Sequence, residues 1–203
     1  MSISEILSFT IASIILAFTP GPDTLFVMVT GLGNGFKMAF KFILGLVTGI
    51  ILHTSLMAIG ISTLISQSQY GLTVLKYFAI IYLLYLAYKT FIHRNVPLKL
   101  DSQNSNQNFY WRGFIMNISN PKVLLFFIAF FPQFAHLNQS GYQMRLILLG
   151  LIFIVVTLVV FSFIAWLSAM GSDKIIKNPK YSLVINYLAI VVFVSVSVWF
   201  LLS

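Results

Sequence analysis

Six stretches of this chain read as nearly unbroken apolar runs, each about the length of a membrane-spanning helix: Ile6 to Thr30, Phe42 to Leu64, Leu72 to Ile92, Gly113 to Phe134, Leu146 to Met170 and Leu183 to Leu202. A hydrocarbon core about 30 Å thick is crossed by about 20 apolar residues of helix. Only 8% of the 203 residues are charged and 59% are hydrophobic, whereas a soluble domain carries roughly 25% charge. Six segments with almost no polar face do not make a soluble helical bundle. The strands of a transmembrane barrel alternate polar and apolar over about ten residues; these runs are uniform and longer. The expected fold is an all-α integral membrane protein with six transmembrane helices.

The connections set direction. Lys37 and Lys41 follow the first span, Lys89, Arg94, Lys99 and Arg112 belong to the third connection, and Lys174, Lys177 and Lys180 to the fifth, which puts nine basic residues on one side. The second and fourth connections hold only Lys76 and Arg145. Basic residues collect in cytoplasmic loops, so the first, third and fifth connections are expected in the cytoplasm and both termini outside. The same placement argues against nucleic acid as the partner of a net charge of +8: single bases at span ends serve topology and contact with anionic lipid. The absence of cysteine rules out disulfides, thiolate metal sites and cysteine nucleophiles. The opening MSISEILSF lacks a basic region and a small-residue cleavage site, and is read as retained.

The third connection, with the polar stretch VPLKLDSQNSNQN at 96–108, is the one long loop. It splits a single domain, 1–203, into halves of about 1–92 and 111–203 joined by a cytoplasmic loop at 93–110. Three spans per half make the second half enter the membrane in the opposite sense, which gives two inverted three-helix repeats. Each half also opens with a proline-broken span, at Pro20-Gly21-Pro22 in the first and Asn120-Pro121 in the fourth. Proline removes a backbone donor and clashes with the carbonyl one turn back. Irregular backbone at membrane depth is tolerated where it faces protein or a water-filled cavity. Interrupted spans at matching positions of two halves point to a transporter's binding site. The alternative, a harmless kink, accounts for one break more readily than for two.

A charge follows each break. Of the four acids, Glu5, Asp101 and Asp173 lie at segment ends or in loops and only Asp23 falls within a span, while Lys122 is the one base well inside a span. A mid-membrane charge costs about 2.5 to 3.5 kcal/mol even on the mild insertion scale, so each should face the bundle interior. The two are expected to pair near the pseudo-two-fold axis and to yield to a substrate whose amine meets Asp23. Its carboxylate would meet Lys122 and nearby helix N-termini. Asp23 could also carry a proton. The competing reading puts Asp23 about 26 Å along a straight helix, snorkelling to the far interface.

Asn117 and Asn120, three apart on one helical face, either bind substrate or recover backbone bonds lost at Pro121. His53, midway along span two, is a proton relay or a helix–helix hydrogen-bond partner. Gln133, after Pro132, reads as a cap or a gate. Gly45 and Gly49 form a GxxxG suited to close helix packing. GLGNG at 31–35 lacks the context and lysine spacing of a phosphate loop. With no HExxH, no GxSxG and no acid pair, an enzyme is not expected.

FTPGPDTLFVMVTGLGNGFKMAFKFILGLVTG (18–49) and WRGFIMNISNPKVLLFFIAFFPQF (111–134) resemble the LysE/RhtB superfamily of amino-acid exporters. The resemblance implies a small exporter of the bacterial inner membrane. Its substrates would be amino acids such as lysine, arginine, threonine, homoserine or their analogues, driven by the proton motive force. The family's motif positions fall on Pro20, Gly21, Pro22, Asn120, Pro121 and Lys122. The family often has asparagine after PGP; Asp23 here favours a cationic substrate. No cofactor and no metal is expected. The partners expected are an amino acid, protons and the lipid bilayer, and a close-packed homodimer suits a chain this small. Two competing functions stand beside this one: export of a divalent cation, for which one buried acid and no thiolate make a poor site, and a non-transporting membrane scaffold subunit.

Overall fold

The computed structural model describes residues 1–19, 21–61, 71–92, 108–137 and 139–170, with nine separate positions between Leu183 and Leu201. All regular structure among the described residues is helical. Helix α1 spans Ile3–Phe18, α2 Pro22–Asn34, α3 Phe36–Leu56 and α4 Gly71–Ile92. Helix α5 spans Phe109–Ser119, α6 Pro121–Leu125, α7 Phe131–Ala135 and α8 Tyr142–Ala169. A π-helical turn, Met57–Ile61, extends α3, and a second, Phe126–Phe130, joins α6 to α7.

Two helices, Phe36–Ile59 and Tyr142–Ala169, are long and apolar enough to cross a membrane. The pair α1 and α2 and the pair α5 and Lys122–Ala135 each pass the same test together, bent by 58° and 52°, which raises the number to four. The expected third span coincides with α4. Most of the expected sixth span, and residues 93–107 of the long loop, lie outside the described residues.

The local sequence explains both breaks. A residue before proline is pushed out of the helical region. Thr19, Gly21 and Asn120 all precede proline, and their ψ angles of 128°, 175° and 109° are extended. Each chain then restarts as a helix with proline at its first position, where the missing N–H costs nothing. Helix α1 itself begins at a capping box, with Ser2 Oγ accepting from the Glu5 amide and Glu5 Oε2 from the Ser2 amide.

Two boundaries differ from expectation. Helix α2 runs on through Gly31 and Gly33 to Asn34, and only Gly35, at φ 79°, leaves the helical region. That left-handed residue, easy for glycine, turns the chain from α2 straight into α3. At the other end of the long loop, Asn108 Oδ1 accepts from the Trp111 amide. Helix α5 therefore starts at Phe109, within the stretch expected to be loop.

The two broken helices lie antiparallel. Glu5, in the first turn of α1, pairs with His136 beyond the end of α7 at 2.9 Å. Phe9 packs on Phe131 and Phe134, Asp23 meets Lys122, and Phe26 of α2 lies beneath Arg112 of α5. Helix α3 runs alongside α5 in the same sense, and their backbones touch: a Cβ on Gly45 would strike the Tyr110 carbonyl, and one on Gly113 the Phe42 carbonyl. Lipid is as apolar as leucine, so close van der Waals contact through small residues is what holds such helices together. Gly49, the second residue of the GxxxG, receives the Asn117 side chain, and Gly150 seats α8 on Thr54.

Two apolar cores result. One gathers Phe9 with Phe126, Phe127, Phe130, Phe131, Phe134 and Phe153; the other gathers Val27, Phe42, Ile43, Leu46, Val160 and Ala165. Helices α3 and α8 contribute to both. Each broken helix passes from one core to the other at its break, in opposite directions, and the polar residues of interest collect at that boundary.

Candidate transport site

Lys122 Nζ lies 3.2 Å from Asp23 Oδ1 and 3.1 Å from the Thr19 carbonyl oxygen. Asp23 is 3% exposed and Lys122 5%. The acid is therefore not snorkelling from the end of a straight helix. The bend at Thr19–Gly21 turns it inward, against the lysine of the other broken helix. The carbonyl of Thr19, outside α1, also accepts from Thr24 Oγ1 at 3.0 Å. Asp23 occupies the first turn of α2, where the partial positive charge of the helix end favours a carboxylate. A buried charge without a partner is costly, whereas a paired and hydrogen-bonded one is tolerated.

Gly21 makes the approach possible. A Cβ there would come within 2.8 Å of Asp23 Oδ1 and 3.1 Å of Lys122 Nζ. Its backbone is extended, so the requirement is for space, not for a left-handed conformation. Gly21 provides no side-chain cap for α2. The second break is capped: Asn120 Oδ1 accepts from the Lys122 amide at 3.0 Å.

Asn117 and Asn120 are both 2% exposed, but they do not share a continuous helical face, because α5 ends at Ser119. Pro121 brings no N–H of its own, the Asn120 side-chain oxygen accepts from the Lys122 amide left open at the new helix start, and the Asn120 backbone amide donates to the Asn117 carbonyl. Asn120 Nδ2 and Asn117 Oδ1 have no hydrogen-bond partner among the described residues. His53, 7% exposed, is hydrogen-bonded to the Asn117 backbone and stacks against Phe127 at 5.1 Å, with Nε2 unpartnered among the described residues. These contacts fit a helix–helix partner and do not join it to the ion pair. Gln133 lies half-buried within α7, which ends at His136 in a left-handed conformation. Pro20 lies outside the described residues.

The site thus brings Gly21, Pro22, Asp23, Asn120, Pro121 and Lys122 together at the meeting of two broken helices. Three contributors were not singled out from the sequence. The Thr19 carbonyl carries no mark in a sequence at all. Thr24 was signalled by its position next to Asp23. Arg112, counted only as a topology charge, lies 4.2 Å above the Phe26 ring. From Asn108 and Arg112 a groove of about 620 Å³ runs to Pro22 and Asn120 at the breaks.

Apolar membrane-length helices, two of them broken and joined by a buried ion pair, define a helical membrane protein with a polar centre. The chain belongs to the LysE type translocator family, which matches residues 14–203. It is 30% identical over 188 residues to the uncharacterized membrane protein YrhP of Bacillus subtilis, covering 87% of this chain and 89% of the relative. It is 30% identical over 181 residues to the homoserine/homoserine lactone efflux protein of Salmonella typhimurium, covering 88% and 87%. An uncharacterized membrane protein of Vibrio cholerae is 27% identical over 184 residues, covering 89% and 88%. No solved structure matches the chain. The LysE/RhtB resemblance read from the two motifs is thereby confirmed, and the chain is a membrane translocator.

Proposed function

We propose that this translocator exports amino acids or amino-acid analogues across the bacterial inner membrane, with the Asp23–Lys122 pair as its substrate site. The observation that carries the reading is the buried 3.2 Å contact between two charges that each follow a helix break. A zwitterionic amino acid bears both complementary charges. Its ammonium takes the place of Lys122 beside Asp23 and the Thr19 carbonyl. Its carboxylate takes the place of Asp23 beside Lys122, where charge-assisted bonds are strongest. The relatives named for efflux of homoserine and its lactone make homoserine the first substrate to try.

On this reading the chain has six spans in two inverted halves, with both termini outside. The antiparallel lie of the two broken helices supports it, since three spans per half demand that sense. The proton gradient drives export, with Asp23 taking up the proton and His53 as a second titratable group in the bundle.

The test is export of labelled homoserine and a panel of amino acids from loaded vesicles, with and without a pH gradient. Wild type is expected to move at least one of them in a gradient-dependent way, and Asp23→Asn and Lys122→Gln each to abolish it. Undiminished transport by both variants would show that the charges are structural.

A further inference from the structure

Three buried polar atoms near the ion pair are left over by the contacts that hold the helices together. Asn117 Oδ1, Asn120 Nδ2 and His53 Nε2 have no hydrogen-bond partner among the described residues. Their residues are 2%, 2% and 7% exposed. Buried polar atoms are normally paired, so three orphans in one place point to a group that comes to meet them. A shared oxygen puts them in one place. The Asn117 carbonyl accepts from the Asn120 amide at 3.1 Å and from the His53 imidazole. Helix α3 presents His53 one turn beyond Gly49, whose missing Cβ leaves the room that the Asn117 side chain fills. Phe127 covers the His53 ring, with centroids 5.1 Å apart.

Asn120 ties this cluster to the ion pair. Its Oδ1 holds the Lys122 amide at 3.0 Å, which orients the side chain and leaves Nδ2 as the free arm. Asn120 and Pro22 also line the groove beside the breaks, so the groove ends against the cluster. The three atoms define what suits them. Asn120 Nδ2 is a donor and Asn117 Oδ1 an acceptor. Since His53 Nε2 is the unpartnered nitrogen, it is Nδ1 that donates to the Asn117 carbonyl, and Nε2 of the neutral ring is a second acceptor. A hydroxyl accepts and donates, so it can satisfy Asn120 and one of the two acceptors together. A methyl group pairs with none of them. An ammonium would press a desolvated charge against the Asn120 donor, while Asp23 is committed to the substrate's α-ammonium.

We propose that His53, Asn117 and Asn120 form the side-chain subsite of the transporter and select an amino acid whose side chain ends in a neutral hydroxyl. The inference rests on the reading as an amino-acid exporter, in which Asp23 and Lys122 hold the α-ammonium and the α-carboxylate. It adds the source of selectivity that the ion pair lacks, because every amino acid presents the same two α-groups.

Homoserine and norvaline have the same shape and differ by a hydroxyl against a methyl. The test is kcat/KM for export of each from vesicles by wild type, Asn117→Leu, Asn117→Ala and Asn120→Thr. Leucine keeps the outline of Asn117 without its polar atoms, alanine removes them without crowding Gly49, and threonine can still cap the Lys122 amide without an amide donor. Wild type is expected to prefer homoserine about tenfold to a hundredfold, as unpaired buried groups imply. Each variant should bring that ratio towards one, chiefly through a higher KM for homoserine, with norvaline moved as well as before or better. A variant that is merely misfolded lowers both compounds together and leaves the ratio in place, so the ratio separates recognition from stability. Equal transport of the two compounds by wild type, or a preference for norvaline or lysine over homoserine, overturns the subsite. So does a wild-type preference that all three variants retain, which would make these atoms the seat of a structural water only. If wild type moves other amino acids but not homoserine, the subsite fails while the exporter stands. If it moves no amino acid of the panel, both fail.

Discussion

Removing one member of the Asp23–Lys122 pair leaves the other charge buried without its counter-ion, and such changes cost roughly 3–5 kcal/mol. Asp23→Asn and Lys122→Gln are each expected to lower stability in detergent by that order. The double variant should be less damaged than either single one, because no uncompensated charge remains. Unfolding of all three checks this, and losses that simply add would show that the two groups are not coupled. Both residues were legible in the sequence because a lone charge in an apolar run has little choice but to face inward. The geometry around them was less so. Asn117 and Asn120 look like neighbours on one helical face until Pro121 ends the helix between them. The Thr19 carbonyl that shares the lysine is set by where α1 stops.

Helices and their breaks are written in proline, glycine and apolar length, which is why both bends fall where the sequence puts them. How helices touch is written more faintly. The GxxxG at Gly45 and Gly49 marked a contact surface, but its partners, Gly113 and Asn117, lie some seventy residues away, and no local pattern names them. Gly45→Ala would drive a Cβ into the Tyr110 carbonyl, and overpacking of this kind costs about 1–3 kcal/mol. Gly33→Ala meets nothing within 4 Å and lies on a helix; it is expected to be neutral, or stabilising by up to about 1 kcal/mol from helix propensity. Thermal melts of the two variants in one detergent separate packing from propensity. The aromatic cluster was not foreseen. Phe9, fully buried, meets four phenylalanines of the second broken helix, two of them on the π-helical turn. Phe9→Ala is expected to cost about 3–5 kcal/mol, measured the same way.

At the scale of the whole molecule the charge asymmetry of the loops predicts an orientation that can be tested directly, because the chain has no cysteine of its own. Lys37 and Gln139, both exposed, stand on connections of opposite predicted sides. Lys37→Cys should react with a membrane-impermeant maleimide only in inside-out vesicles, and Gln139→Cys in intact cells. The reverse pattern would invert the topology. The two long helices and the two broken pairs that make up to four candidate spans were legible from hydropathy because it is a sum along the chain. The antiparallel pairing of the two broken helices fits the proposed inverted halves, in which an odd number of crossings per half demands that sense, and no individual residue marks it.

The ion pair at the centre has one more consequence, for electrical behaviour. Moving one elementary charge through a membrane potential involves about 2.3 kcal/mol per 100 mV. On the proposed reading Asp23 and Lys122, held 3.2 Å apart, would travel as a neutral unit. On that reading an empty carrier that rocks between its two faces with this pair closed shifts no net charge from the pair through the field, and its return stroke is expected to be voltage-silent. Any current the transporter generates then comes from what it carries.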